Sequence, residues 1–131
     1  MKFKFLITLF SLIFADSIFP SLPTVLIKNC YDGDTCTTFA GEKIRLACID
    51  APELKGLNAD PIPANSASKF LNNLLANEEV HIKRINNDRY GRTVAELFKD
   101  GVNIQELIVR EGHGKFHKRY AYLCEWSKNS I

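Results

Sequence analysis

The chain has 131 residues, of which 46% are hydrophobic and 24% are charged, with 17 lysines and arginines and 15 acidic residues. This length suits one domain, the apolar fraction excludes a disordered chain, and no apolar run is long enough for a conventional membrane-spanning helix. The net charge of +2 is close to neutral. Any nucleic-acid binding must therefore come from local basic patches and not from bulk charge.

Residues 1–17 carry a pattern typical of a secretory signal. Lys2 and Lys4 supply positive charge, and an uncharged apolar run follows before the small residues of Ala15-Asp16-Ser17. We therefore expect residues 1–17 to be a cleaved signal peptide of a secreted or periplasmic protein, and residues 18–131 to form its domain. An uncleaved anchor or a buried strand is the alternative.

The next part of the chain is predicted to form three strands joined by tight turns. Thr24 to Cys30 is rich in β-forming residues, and Asp32-Gly33 is a strong hairpin signal before a second strand from Thr35 to Phe39. Ala40-Gly41 marks a second turn. Lys43 to Ile49 then alternates between apolar and charged residues, as a single half-buried strand does.

A loop and a helix follow these strands. Ala51 to Pro63 contains three prolines and one glycine, which favours a loop. An apolar stripe then recurs at helical spacing, and Asn65 or Ser66 is placed to cap its first turn. The stripe consists of Ala67, Phe70, Leu71, Leu74 and Leu75.

The C-terminal part predicts two more strands and a second helix. Val80 to Ile85 and Arg92 to Phe98 read as strands, with a polar loop from Asn86 to Gly91 between them. Asn103, with a glutamate three residues on, begins a helix that Gly112 ends.

This order of elements predicts the fold. Three strands, a helix, two strands and a helix suit a mainly β, α+β domain in which helices pack against a small, highly curved five-stranded barrel of the OB-fold type. The concave face of such barrels commonly binds oligonucleotides. A fold does not by itself assign a function, which depends on individual residues.

All four cysteines, Cys30, Cys36, Cys48 and Cys124, follow the predicted signal. An even count in a small exported chain favours disulfides, with three connectivities open. Cys30 and Cys36 flank the first predicted turn and are candidates to pair across it, whereas burial as free thiols is the alternative. No CxxC pair is present, which argues against a structural zinc site.

Three carboxylates lie where predicted strands begin or end. Asp34 follows the first hairpin turn, and Asp50 and Glu53 flank Ala51-Pro52, where the proline bends the chain. If the hairpin lies beside this bend, the three converge, and they stay ionised together only with a cation. All-oxygen ligation suits calcium or magnesium and not zinc. Taken one at a time, each is also an ordinary turn or strand-end residue.

Two arginines sharpen this interpretation. Arg45 and Arg92 lie in or at the start of predicted strands, where a rigid backbone can present a planar guanidinium to a phosphate. A cation, a carboxylate base and two arginines are what phosphodiester hydrolysis requires. The alternative for each arginine is an isolated surface charge on a strand.

These residues lie in three motifs that occur in a fixed order. The motifs are Asp32-Gly33-Asp34-Thr35, then Ile44-Arg45-Leu46 through Ile49-Asp50-Ala51-Pro52-Glu53, then Asp88-Arg89-Tyr90-Gly91-Arg92. In residues, order and approximate spacing, they resemble the staphylococcal (micrococcal) nuclease family. The resemblance extends from about Val25 to Tyr120.

The resemblance implies a secreted, Ca²⁺-dependent nuclease on an OB-fold. Such an endo/exonuclease would hydrolyse DNA and RNA at the 5′ O–P bond and leave 3′-phosphates. It implies no stable protein partner, and we expect a monomer. The alternative is a catalytically inactive nucleic-acid-binding OB-fold module, but such modules lack members of the charged set, all of which are present here.

The resemblance also implies roles for particular residues. Arg45, Glu53 and Arg92 resemble the family's catalytic trio, with Glu53 as the base. The calcium ligands would be the carboxylates of Asp34 and Asp50 and the backbone carbonyl of Ala51. Residues that resemble the nucleotide-binding set are Arg89, Tyr90 and Tyr120.

The C-terminal part departs from the family pattern. Lys118 replaces one aromatic that the family places near the nucleotide, and we expect only a short final helix near Trp126. The spacing of His113 and His117 suits a zinc pair on a helix, but the glycines beside His113 argue against a helix there. The basic and aromatic residues from 115 to 120 form either a nucleic-acid rim or a solvated face.

Overall fold

The computed structural model describes residues 21–128. The predicted signal peptide, residues 1–17, lies outside the described residues. Within them, no helix is long and apolar enough to cross a membrane. In chain order the elements are β1 (Thr24–Cys30), β2 (Thr35–Thr38), β3 (Lys43–Leu46), β4 (Ile49–Asp50), α1 (Pro61–Leu75), β5 (Glu79–Asn87), β6 (Thr93–Lys99), β7 (Val102–Asn103), α2 (Ile104–Arg110), β8 (Lys115–Phe116), a 3-10 turn (Ala121–Leu123) and α3 (Glu125–Lys128).

Five strands close into a barrel, which confirms the predicted OB-fold. They are hydrogen-bonded in the order β3-β2-β1-β5-β6, and β3 pairs with β6 in parallel to complete the ring. The other pairings within the ring are antiparallel. β7 extends β6 at its edge, while β4 and β8 form a separate two-stranded sheet. The barrel brings β3, and with it Arg45, beside the start of β6.

The hydrophobic core lies between the barrel and two of the helices. The barrel contributes Ile27, Ile44, Leu46, Ile82 and Leu97, α1 contributes Leu71 and Leu75, and α2 contributes Ile104 and Ile108. These are the apolar faces that the sequence periodicity predicts. α1 therefore lies against the barrel at the end of β1, next to the turn that carries Asp34.

α1 begins earlier than predicted. It starts at Pro61, and Asp60 at its N-cap makes no side-chain cap bond, so capping by Asn65 or Ser66 was wrong. Proline is tolerated in the first helical turn because the N–H groups there have no partner within the helix. The prolines that indicated a loop up to Pro63 thus belong partly to the helix.

The predicted third strand is broken. β3 ends at Leu46, and Cys48 then adopts a left-handed backbone conformation with φ 70 before β4 begins. The apolar alternation continues through this break, which is why the sequence indicated one strand. The polar loop from Asn86 is also shorter than predicted, because β5 extends to Asn87.

The second helix follows its prediction. Its N-cap is Asn103, whose side-chain oxygen accepts the N–H of Glu106 at 3.1 Å. The helix ends at Arg110, and Gly112 follows with φ 76. The glycine adopts this left-handed conformation without the strain that a β-carbon would add.

Two disulfides join the four cysteines. Cys30 and Cys36 pair across the β1–β2 hairpin with their Cα atoms 3.8 Å apart, which confirms the predicted bridge. Cys48 pairs with Cys124, which is 76 residues away in sequence. Among the described residues no cysteine is free. The second bridge ties the segment after β8 to the break between β3 and β4.

Candidate active site

The turn between β1 and β2 presents Asp34 from a buried position. Oδ2 of Asp34 accepts the N–H of Ala51 at 2.9 Å, and Oδ1 accepts the hydroxyl of Thr35 at 3.1 Å. The N–H of Asp34 donates to Oδ1 of Asp32 at 3.0 Å. The bond to Ala51 attaches the turn to the chain segment that carries Asp50 and Glu53.

The Asp34 carboxylate is costly to ionise in this place. Burial raises the pKa of Asp34 to about 6, which the guanidinium of Arg45 opposes and the nearby charge of Asp32 reinforces. A carboxylate removed from water needs positive charge nearby to stay ionised. The guanidinium of Arg45 does not cancel the effect of burial on this pKa, and further positive charge nearby would favour the ionised carboxylate.

Arg45 lies between the two aspartates. Its Nη2 is 3.3 Å from Oδ2 of Asp34 and 3.7 Å from Oδ1 of Asp50, and its Nη1 donates to the carbonyl of Leu46 at 2.7 Å. The β3 backbone fixes its Cα through pairing with Thr35. The guanidinium is therefore anchored at the edge of the site.

Glu53 lies at the exposed rim of the site. Its backbone forms a bridge with Ala59, and its carbonyl accepts the N–H of Asp60 at 2.9 Å. These contacts close the loop between β4 and α1 on itself. The exposed side chain is accessible to water, as a general base must be.

Arg92 is positioned by Asp88. The Arg92 Nε donates to Oδ2 of Asp88 at 2.7 Å, while Oδ1 of Asp88 accepts the backbone N–H groups of Tyr90 and Arg92. Burial raises the pKa of Asp88, but the hydrogen bonds from Arg92 and Tyr90 outweigh it and leave the pKa below its ordinary value. Asp88 belongs to the motif Asp88-Arg89-Tyr90-Gly91-Arg92, but the sequence did not predict that it positions Arg92. Only the fold shows which side chain Asp88 contacts.

Seven charged residues border one cavity of about 480 Å³, which we call the carboxylate cavity, and two of them are Asp32 and Lys55. The other five are the predicted catalytic and metal-binding residues Asp34, Asp50, Glu53, Arg45 and Arg92. They come from three separate motifs, which the barrel brings to one place. Ala51 does not line this cavity; it is buried, and its N–H is the group that contacts Asp34.

A second cavity of about 650 Å³ adjoins the first, and we call it the tyrosine cavity. Arg89, Tyr90 and Tyr120 all line it. The Arg89 guanidinium lies 4.9 Å from the centre of the Tyr90 ring and donates to its hydroxyl at 2.7 Å. Exposed aromatic rings beside arginines suit stacked bases and phosphates.

The donor set of the carboxylate cavity fits a hard cation. Asp34 and Asp50 both offer carboxylate oxygens there, and calcium takes oxygen ligands that include waters. Among residues 21–128, no three His, Cys, Asp or Glu side chains form a group that could hold a metal ion, so Asp34, Asp50 and Glu53 do not converge into the predicted three-carboxylate site. Waters, a backbone carbonyl or substrate oxygens would therefore complete the coordination.

The two histidines near the C-terminus do not form a zinc pair. His113 stacks on Phe70, with ring centroids 4.4 Å apart, whereas His117 packs at a tilt against Tyr120 and lines both cavities. No helix spans them, as the adjacent glycines indicate. The place of His117 beside both cavities was not predicted from the sequence.

Comparison with known proteins agrees with this geometry. The sequence model of the family described as "Staphylococcal nuclease homologue" matches residues 43–130, more than half of the chain. The chain belongs to the staphylococcal nuclease family. The range matched by the family model includes Arg45, Asp50, Glu53 and Arg92, whereas Asp34 lies before that range.

Similar curated proteins are named as nucleases. This member of the staphylococcal nuclease family is 32% identical over 103 residues to an "Uncharacterized endonuclease" of Haemophilus influenzae, which covers 76% of the chain and 55% of that protein. It is 32% identical over 111 residues to "Endonuclease YncB" of Bacillus subtilis, covering 79% of the chain and 51% of the relative. The chain thus spans about half the length of these relatives.

Proposed function

We propose that this chain is a Ca²⁺-dependent nuclease that hydrolyses phosphodiester bonds of DNA and RNA and leaves 3′-phosphates. The carboxylate cavity carries the proposal, because carboxylates for a cation, an exposed carboxylate base and two arginines border one space. Family membership and relatives named as endonucleases support it.

Each side chain has a chemical task in this proposal. Glu53 takes a proton from the attacking water, since its carboxylate is exposed at the rim of the cavity. Arg45 and Arg92 donate hydrogen bonds to the phosphoryl oxygens, where negative charge grows in the transition state. Their anchoring by Leu46 and Asp88 keeps both guanidinium groups in place before substrate arrives.

Calcium, when bound at Asp34 and Asp50, would polarise the phosphate and neutralise part of its charge. The residues of the tyrosine cavity would hold the adjoining nucleotide. Tyr90 and Tyr120 are both exposed there, and each has an arginine over its ring. This arrangement accepts any base, which suits a nuclease that acts on both DNA and RNA.

Digestion of plasmid DNA tests the proposal. The purified protein should cut the plasmid with calcium, and excess chelator should stop it. Glu53→Gln keeps the shape of the side chain and removes the base, so its turnover should fall about 10²-fold. Parent protein that binds DNA but never cuts it would favour the inactive binding module instead.

The product ends test the position of cleavage. A 3′-phosphate blocks extension by a DNA polymerase, so products should be extended only after phosphatase treatment. Products that are extended directly would show 3′-hydroxyl ends and contradict this part of the proposal. The nuclease assignment itself would survive that result.

Export is a second part of the proposal. The apolar pattern of residues 1–17 and the two disulfides both suit an oxidising compartment outside the cytosol. N-terminal sequencing of the extracellular or periplasmic protein should begin near Ile18. Recovery of the intact chain from the cytosol would contradict export.

A further inference from the structure

Three residues border both cavities: Arg45, Arg92 and His117. The two arginines are the proposed donors to the reacting phosphate. His117 shares their position, so its ring borders the space that a nucleic acid strand occupying both cavities would fill. The resemblance to known nucleases assigns this histidine no role.

The backbone around His117 is held from both sides. β8 pairs with β4, and the N–H of His117 continues this pairing by donating to the carbonyl of Cys48 at 2.9 Å. Its own carbonyl accepts the N–H groups of Tyr120 and Ala121. Because Lys115 pairs with Asp50 in this register, the backbone position of His117 is tied to that of Asp50, and the Cys48–Cys124 bridge holds the segment on the other side.

The His117 side chain lies at the two cavities. The residue directly follows β8, whose Phe116 packs against the ring of Trp126 with ring centroids 5.3 Å apart. His117 lines both cavities and is half-buried there.

The contacts of the imidazole ring leave one donor available. Nδ1 accepts the backbone N–H of Arg119 at 3.2 Å, so in this arrangement the ring carries its proton on Nε2. The ring contacts that of Tyr120 in a tilted arrangement, with centroids 4.8 Å apart and an interplanar angle of 40°. Among residues 21–128, no hydrogen bond joins Nε2 to another residue.

We infer that His117 is a substrate-binding residue whose Nε2–H donates to a phosphate oxygen of the nucleic acid strand between the two cavities. The inference rests on the proposed function for the class of ligand and extends it by one donor. A neutral N–H complements the two guanidinium groups, because it adds a directed hydrogen bond without adding charge. The Nε2–H of His117 would also lie between the nucleotide in the tyrosine cavity and the reacting phosphate in the carboxylate cavity.

Binding of an oligonucleotide, measured without cleavage, tests the inference. A fluorescein-labelled single-stranded DNA is titrated with protein in chelator at low salt, and a gel confirms that the strand stays intact. His117→Ala and His117→Phe should each weaken binding about tenfold, since both lack the donor. His117→Gln supplies an amide N–H at similar reach and should bind within about threefold of the parent protein.

The chain offers a matched control histidine. His113 lies four residues earlier and stacks on Phe70, and it lines neither cavity. His113→Ala should therefore bind the oligonucleotide as the parent protein does. Thermal melting of every variant separates lost contacts from lost folding.

The salt dependence of binding separates a hydrogen bond from a charge. Each phosphate neutralised by a bound cationic side chain contributes about 0.7 to the slope of log affinity against log salt for single strands. His117→Ala should leave this slope unchanged, whereas Arg92→Ala should reduce it by about this amount.

Several results would overturn the inference. Parent-like binding by His117→Phe would show that ring stacking is sufficient, and binding by His117→Gln as weak as that of His117→Ala would remove the donor role. If the parent protein cuts DNA while every His117 variant binds normally, only this inference fails. If the parent protein neither binds nor cuts, both the inference and the proposed function fail.

Discussion

The turn at residues 31–34 and the turn at residues 88–91 both deliver charged residues to the carboxylate cavity, but they are held by different means. The first is closed by the Cys30–Cys36 bridge, and the Asn72 side chain of α1 both donates to and accepts from the Cys30 backbone, at 2.7 and 2.8 Å. The second is held by the bonds of Asp88 within its own turn.

The glycines of the two turns show the same contrast. A β-carbon on Gly33 would lie 2.7 Å from the Ala67 β-carbon and 2.8 Å from that of Ala51. A β-carbon on Gly91 would meet nothing within 4 Å, but at its φ of +76 any other residue would be strained. Gly33 is needed because of crowding, and Gly91 because of backbone conformation.

This difference accords with the burial of the two charged groups. A buried carboxylate tolerates little movement, since desolvation makes misplaced charge costly. The turn of Asp34 is accordingly fixed by the disulfide, by α1 and by close packing. The Arg92 side chain is only partly buried, and the ion pair with Asp88 within its own turn orients it.

The largest expected effect is on catalysis and comes from a change beside the turn at residues 88–91. Arg92→Ala removes a donor to the phosphoryl oxygens, and turnover with calcium should fall 10²–10³-fold. Its melting temperature should stay close to that of the parent protein, because its hydrogen bonds lie within one turn. Initial rates of plasmid cleavage and melting by circular dichroism measure both effects. A folded variant that cuts at the parent rate would show that the active site is misidentified.

The two glycines offer a direct test of the contrast in packing. Gly33→Ala should lower the free energy of unfolding by about 1–3 kcal/mol, because two alanine methyl groups must move. Gly91→Ala should lower it by about 1 kcal/mol through backbone strain alone. Urea unfolding of both proteins measures the difference. Gly33→Ala should also raise the calcium needed for cleavage, and equal losses in both variants would contradict the contrast.

Removal of the hairpin disulfide should have a moderate effect. The double variant Cys30→Ser, Cys36→Ser opens a short loop, for which chain entropy predicts a loss of about 2 kcal/mol. Asp34 then lies on a less constrained turn, so half-maximal cleavage should need more calcium. Urea unfolding and a calcium titration of the rate check this. An unchanged calcium requirement would mean that α1 alone holds the turn.

The smallest expected effect comes from the partner of Arg92. Asp88→Asn keeps an oxygen for the two backbone N–H groups but loses the charged partner, so turnover should fall about tenfold. The pKa of Asp88 is lowered from 3.8, so its contribution to stability is present above that pH and is lost as the pH falls through the lowered value. The difference in melting temperature between parent and variant should therefore be steady near neutral pH and shrink in acid. A constant difference down to the most acidic pH would contradict this role.

Much of the fold was predictable from short-range patterns. The strands, both main helices and the hairpin disulfide follow from periodicity, turn residues and spacing within about ten positions. Errors arose where a local signal had two meanings. Pro61 and Pro63 indicated a loop but occupy the first turn of α1, and the alternation through Cys48 indicated one strand where the backbone turns away.

The sequence by itself determined the barrel and the chemistry of its candidate site, because strand alternation and three charged motifs are local properties of the chain. Only the tertiary structure decided which distant groups meet. The tertiary structure paired Cys48 with Cys124, brought Asp88 into hydrogen-bond contact with Arg92 and placed His117 beside both cavities. These contacts depend on how the barrel closes and on where β8 pairs, and no pattern along the sequence specifies either.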